Sequence, residues 1–395
     1  MNKIPLGNRK LIRDINRSII LNAIKNAGSI SRVDLAKKTG LSAATVTGIT
    51  GDLIQDGLVF EKTLGDSRGG RPPILLAINP RGGFVVGIKL METGVVGALT
   101  DLNAQVETEL SIDLPDKTLS SVTVAIVNMV EALIEKAGIP VAQIFGVGIG
   151  VAGVVDSIRG VLRQSPFFGW ENVNLREILE SRLRLPVFID NDVNALTVGE
   201  NCCSPHSPAD DFIVITIGRG IGMGIVINGQ IYRGKGGGAG EIGHTVVDVN
   251  GPVCECGKRG CLESYLSDRA ILKEALKVTG VRYASIQQLV EKAEQGDRQL
   301  MDVLSRAGEL LGIQIANLIN IFDPKLIILG GEGVRIGETF FVNMERSLRK
   351  HVMPGLAEDT EIRIAKWGDD IWARGAASLV IGKVFNSPIQ KEDRE

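Results

Sequence analysis

Between residues 9 and 26 the apolar positions Leu11, Ile12, Ile15, Ile19, Ile20, Ala23 and Ile24 recur at helical spacing, with Arg9, Lys10, Arg13 and Arg17 on the other face. This pattern predicts an amphipathic helix that stops at Asn26-Ala27-Gly28. Ser31 then stands where an N-cap belongs, with Asp34 in the first turn, so a short second helix runs to Lys38. Thr39-Gly40-Leu41 makes a turn, and Ser42 caps a third helix from Ala43 to about Asp56, with Val46, Ile49, Leu53 and Ile54 inward. Two helices joined through a glycine turn form a helix-turn-helix, whose second helix reads base edges with its first turns. Ser42, Ala43, Thr45 and Thr47 are therefore candidate DNA contacts, and Arg32, opening the preceding helix, is another. After Gly57, the runs Leu58–Lys62 and Ile74–Ile78 predict two strands around a basic tip, which is a wing. The tip, Ser67-Arg68-Gly69-Gly70-Arg71-Pro72-Pro73, carries Arg68 and Arg71 on extended backbone suited to a narrow A·T-rich minor groove.

From Gly83 the pattern changes to apolar strands separated by glycine turns. Phe84–Leu90 and Val95–Leu102 read as a hairpin, and Ile144–Val151, Pro186–Asp190, Phe212–Ile217, Gly224–Ile227 and Lys325–Leu329 as further strands. Helices are expected at 119–137, 174–184, 268–278, 285–294, 298–322, 337–350 and 372–384, and residues 387–395 as a polar tail. Strands alternating with helices predict an α/β body behind the winged head. The strand ending at Asp190 delivers Asn191 and Asp192 at its C-terminal end, where α/β sheets bind polar small molecules.

Composition sharpens this in two places. At 395 residues the chain is long enough for two or three domains, and no apolar run reaches the ~18 residues of a membrane span. Net charge is −2, yet residues 1–80 hold 12 of the 44 Lys/Arg and 6 of the 46 Asp/Glu, leaving a head of +6 on a body of −8. That asymmetry assigns a polyanion partner to the head alone, namely double-stranded DNA. The five cysteines and the polar N-terminus fit a reducing cytoplasm.

Three of those cysteines lie in one stretch, Gly240 to Glu263. His244, Cys254, Cys256 and Cys261 supply four nitrogen and sulfur ligands within a short Gly- and Pro-containing loop. Four such ligands with no spare position match a closed, structural Zn2+ site.

Ile217 to His244 resembles the signature of the ROK family (repressors, open reading frames, kinases): a Gly-x-Gly-x-Gly hairpin, a glycine-rich segment, then Gly-His. Glu241-Ile-Gly-His244 and Cys254-x-Cys256-x4-Cys261-x-Glu263 resemble its zinc and sugar segment, and Gly229–Leu262 most resembles the xylose repressors of that group. The resemblance implies an α/β actin-like ATPase (ROK sugar kinase-like) fold of two lobes: 1–80 winged helix-turn-helix and linker, 81–195 lobe 1, 196–385 lobe 2 with the zinc loop, and 386–395 tail. It further implies that Asn191, Asp192, Glu241, His244 and Glu263 contact sugar hydroxyls and that Gly153 offers a backbone contact. His244 would then serve metal and sugar at once.

The kinases of the family carry Asp-x-Gly-Gly-Thr on the first hairpin, where this chain has Lys89-Leu90-Met91-Glu92-Thr93, and Arg219 replaces a threonine in Gly218-Arg219-Gly220. Losing a glycine cradle and its aspartate removes the backbone approach that phosphate needs. The expectation is a repressor and not an enzyme: a homodimer or homotetramer on an operator, answering to xylose or a glucose-like sugar. A regulatory protein partner is a further possible input. The alternative is an ATP-dependent sugar kinase that retains a DNA-binding head.

Overall fold

The structure, a computed structural model, describes residues 9–63, 74–203, 210–356, 358–365, 367 and 370–385. The wing tip with Arg68 and Arg71, and the expected polar tail, lie outside the described residues.

Three helices open the chain: α1 (Arg9–Ala27), α2 (Arg32–Thr39) and α3 (Ala43–Gln55). Their ends are set by local chemistry. The Ser31 hydroxyl accepts the Asp34 N–H at 3.1 Å, Gly40 closes α2 at φ 70°, and the Ser42 hydroxyl accepts the Thr45 N–H at 3.1 Å. Ile20, Ile24, Leu35, Val46 and Leu53 are fully or almost fully buried and form the head's core. The wing strands Val59–Thr63 and Ile74–Ile78 pair antiparallel. A two-residue strand, Ile30–Ser31, adds to the outer edge of the second, which was not legible in a stretch so short.

Two compact units divide the chain: Met1–Ile149, Leu175–Ile189 and Ala373–Glu395 in one, Gly150–Asn174 and Asp190–Trp372 in the other. These limits differ from the linear boundaries expected at 80, 195 and 385. The head groups with the first unit, and the chain passes between units after Ile149, Asn174, Ile189 and Trp372.

The first unit is built on a five-stranded sheet ordered Val187–Asn191, Ile144–Val151, Phe84–Leu90, Gly94–Asp101, Val106–Asp113. The last of these strands, on the sheet edge with an alternating exposed face, was missed from sequence. The C-terminal helix Ile371–Phe385 packs at backbone distance on this sheet, because a Cβ at Gly87 or Gly148 would strike the carbonyl of Ala373 or Ala376. At the far end of that helix the Phe385 carbonyl accepts hydrogen bonds from the Ser18 hydroxyl and the Asn22 amide of α1, each 2.6 Å long. Lys25 of α1 stands over the Phe385 ring.

The second unit has its own five-stranded sheet, ordered Gln230–Ile231, Ile221–Ile227, Phe212–Ile217, Leu326–Gly330, Glu361–Ile364. Phe212–Ile217 pairs antiparallel with Ile221–Ile227 and parallel with Leu326–Gly330. Strand alternation separates two cores. Ile213, Ile215 and Ile217 join Leu304, Leu311 and Ile315 of the helix Arg298–Phe322, whereas Phe212 and Val214 join Leu196. A small sheet of Val154–Asp156, Val161–Ser165 and Trp170–Val173, and the helix Asp192–Cys203, complete the framework around Asn191.

Candidate sugar and metal site

All six residues singled out for a sugar lie in the second unit. Asn191 ends a strand and its side chain caps the helix that follows: Oδ1 accepts the Val193 N–H at 2.9 Å and the Asn194 N–H at 3.2 Å. Its Nδ2 donates to the Gly153 carbonyl at 3.0 Å. A side-chain amide has two donor hydrogens, so one remains for a ligand. Gly153 holds φ 127°, and a Cβ there would strike the Gln164 carbonyl, so the position takes glycine alone. Asp192 is the first helical residue, with its Oδ1 accepting the Val193 N–H at 3.0 Å.

Glu241 and Glu263 arrive from the cysteine stretch. The Glu263 carboxylate accepts the Ile221 N–H at 3.1 Å and fills the space beside Gly220, where a Cβ would come within 2.8 Å of its Oε2. The Glu241 side chain is 41% exposed, open to water on one side and crowded on the other. Desolvation pushes its carboxyl upward, His244 opposes this, and the Asp192 and Glu263 carboxylates push it further up.

His244 faces two ways. Nδ1 lies 3.7 Å from Cys254 Sγ, and Nε2 lies 4.0 Å from a Glu241 carboxylate oxygen. The candidate ligand atoms of His244, Cys254, Cys256 and Cys261 all fall within 4.8 Å of one another, and Cys256 Sγ and Cys261 Sγ are 3.6 Å apart. A tetrahedron with metal–sulfur bonds of about 2.3 Å has edges of about 3.7 Å, so the spacing is that of a metal-ligand set. Burial pushes the Cys254 thiol up to about 12 and the Cys261 thiol upward too. A soft cation would relieve that cost by taking both as thiolates. The loop closes around the sulfurs by backbone bonds: Cys254 N–H to Lys258 O at 2.8 Å, Val247 N–H to Gly260 O at 2.8 Å and Leu262 N–H to Thr245 O at 2.9 Å. Lys258 Nζ donates to the His244 carbonyl at 2.8 Å. These four residues could bind a metal ion.

In the head, Ser42, Ala43 and Thr47 are exposed on the face of α3, and Thr45 is half-buried against Ser42. Arg32, expected among the DNA contacts, is partly exposed and paired within the head. Its Nε donates to Thr50 Oγ1 at 3.1 Å and its guanidinium pairs with Glu61 at 2.7 Å, so it braces α3 against the wing. Ala44, Gly48 and Gly51 are also exposed on α3.

Comparison with known proteins gives the family. Residues 85–383 match the ROK family, and residues 13–59 match winged helix-turn-helix DNA-binding domains. The chain belongs to the ROK family. It is 32% identical to the xylose repressor of Caldicellulosiruptor bescii, over 97% of this chain and 99% of that protein. The crystal structure of a ROK family transcriptional regulator, a homologue of the Escherichia coli MLC protein, superposes with a TM-score of 0.85 at 27% identity, covering 96% of this chain and 98% of that one. A ROK family glucokinase from Streptomyces griseus, in complex with glucose and AMPPNP, matches 75% of this chain and 99% of its own with a TM-score of 0.66 and 29% identity. The ROK fold here is therefore the two-lobed actin-like kinase type, preceded by a winged helix that the glucokinase match does not cover.

Proposed function

We infer that this protein is a DNA-binding transcriptional repressor of carbohydrate-utilisation genes whose operator binding responds to a sugar. The observation that carries the reading is one chain matching winged helix-turn-helix DNA-binding domains over residues 13–59 and the ROK family over residues 85–383. Asn191, Asp192, Glu241, His244 and Glu263 contact the sugar hydroxyls, with Gly153 supplying backbone. His244, Cys254, Cys256 and Cys261 would hold Zn2+, which would fix the imidazole ring and leave Nε2 toward the ligand. The metal's chemistry is structural, since four protein ligands fill its coordination.

Ser42, Ala43, Thr45 and Thr47 read the operator's major groove. Arg68 and Arg71 enter an adjoining minor groove, and Arg32 steadies the reading helix. A homodimer or homotetramer matches a palindromic operator, because two-fold protein symmetry needs two half-sites. The sugar shifts operator affinity by binding one arrangement of the protein better than another. Xylose or a glucose-like sugar is the effector, and the protein acts in the cytoplasm.

Features around both former phosphate loops support a binder over a kinase. In the first, Met91 N–H bonds Gly94 O at 2.9 Å in a tight turn, and Glu92 pairs with Lys117 at 3.0 Å. In the second, Arg219 pairs with Glu255 at 3.2 Å, while Glu332 Oε2 stands 2.7 Å from where a Gly218 Cβ would be.

The deciding experiment is a mobility shift on the DNA upstream of the protein's own gene, with xylose, glucose or N-acetylglucosamine added in turn. Retardation that one sugar changes supports the reading, and no retardation at any protein concentration overturns it. Sustained ATP turnover with any of the sugars in a coupled assay would favour the kinase. Glu241→Ala is expected to abolish the sugar response with operator affinity intact. Equal loss of both would make the residue structural.

A further inference from the structure

We propose that Arg233 is a positioning residue for the sugar site, holding its two halves in register through Asp190. The proposal rests on the sugar-site reading above. Asp190 is 1% exposed, directly before Asn191 in the chain. One of its oxygens, Oδ2, accepts the Arg233 Nε at 2.7 Å and a terminal guanidinium nitrogen at 2.6 Å. The other, Oδ1, accepts the Asn191 N–H at 2.9 Å and the Asn194 amide at 3.3 Å. A carboxylate this deep is tolerated only when paired and hydrogen-bonded, and here both oxygens are engaged by protein. Asp190 therefore influences a ligand through the groups it holds, first the backbone of Asn191.

Arg233 has a second attachment. It follows the short strand Gln230–Ile231, and its carbonyl accepts the Ala239 N–H at 3.2 Å, closing the glycine segment 234–238 into a loop. Ala239 lies two residues before Glu241. A Cβ at Gly237 or Gly240 would strike the carbonyl of Val155 or Met223, so the backbone is pressed onto its neighbours at Gly237 and again just before Glu241. One residue is thus fixed by its side chain to the Asn191–Asp192 half and by its backbone to the approach to Glu241 and His244. Arginine suits this role because its planar fork places two N–H groups on one oxygen. A lysine offers one ammonium on a flexible stem and would keep the charge while losing the orientation.

The test compares Arg233→Lys, Asp190→Asn and the double variant with the unaltered full-length protein. It uses calorimetry with xylose, glucose and N-acetylglucosamine, metal analysis, thermal melting and sugar-free operator affinity. Arg233→Lys is expected to weaken binding of the responding sugar by about tenfold or more, as loss of an orienting partner does elsewhere. Metal content and operator affinity should stay at the unaltered values, and the melting midpoint should fall by only about a few degrees, because lysine keeps the charge on Asp190. The double variant should bind no more weakly than the weaker single one, because both act through one contact. Sugar affinity in Arg233→Lys within twofold of the unaltered protein overturns the proposal. So does a fall in metal content and melting midpoint in step with sugar affinity, which marks a purely structural pair. If the unaltered protein binds none of the three sugars, the sugar-site reading itself fails, and this proposal with it.

Discussion

Gly40 in the head and Gly240 beside the sugar site both sit at positive φ, 70° and 93°, yet a side chain at the first would meet open space and at the second the Met223 carbonyl. The contrast extends to their surroundings. The head's turns are governed by residues three or four positions apart, as in Ser31 with Asp34 and Ser42 with Thr45. Its exposed ion pairs, such as Arg17 with Asp56 at 2.6 Å, join α1 to the end of α3 at the surface, where such pairs contribute little. The site is governed by backbone pressed onto backbone eleven to seventeen residues away in the chain: Gly153 against Gln164, Gly240 against Met223, Gly260 against Asp248. A local architecture tolerates change one residue at a time. The site, built on contacts between separate stretches of backbone, transmits a small displacement to every ligand-facing group.

Replacing a metal ligand tests the contrast most severely. Cys261→Ser, at a fully buried position, should empty the metal site and weaken sugar binding at least about 100-fold, because ligand and support are lost together. Metal analysis and calorimetry read this, while the head's sugar-free operator affinity should change little. Gly240→Ala comes next. Positive-φ strain and a forced carbonyl shift at the residue before Glu241 should cost about 2 kcal/mol of sugar binding, roughly 30-fold by calorimetry. The same exchange at Gly40 carries strain alone and should cost about 1 kcal/mol in denaturant unfolding, with sugar affinity unchanged. Smallest is Gly48→Ala, where open space and helical backbone predict a gain of about 0.5–1 kcal/mol in stability. The added methyl on the exposed face of α3 should weaken operator binding in a mobility shift. If Gly40→Ala and Gly240→Ala weaken sugar binding equally, the local and non-local regions are not distinct.

The same contrast explains what could be read from residues in a row. Capping serines, the glycine turn and helical apolar spacing gave α1, α2 and α3 within a residue or two. The cysteine spacing marked a ligand set that the fold does bring within 4.8 Å. The edge strands Val106–Asp113 and Glu361–Ile364 escaped because a half-exposed strand carries a diluted apolar pattern. The helix Asp192–Cys203 escaped because its cap, Asn191, was read only as a ligand when its Oδ1 also holds the helix start. The bond of Arg32 to Glu61, in addition to any role in DNA contact, depends on the wing folding back, which no local pattern encodes. Arg233 was overlooked because its partner, Asp190, lies 43 residues away.

The Phe385 carbonyl, held by Ser18 and Asn22 across a separation of 367 and 363 residues, makes the end of the chain part of the reader's mounting. A premature stop within the final helical turn, which also deletes residues 386–395, would leave the sugar ligands, the cysteines and every operator contact encoded. It would nonetheless strip two hydrogen bonds from α1. Such an allele would score in a genetic screen as a defect in repression, although the lesion maps to the opposite end of the gene from the DNA-binding codons.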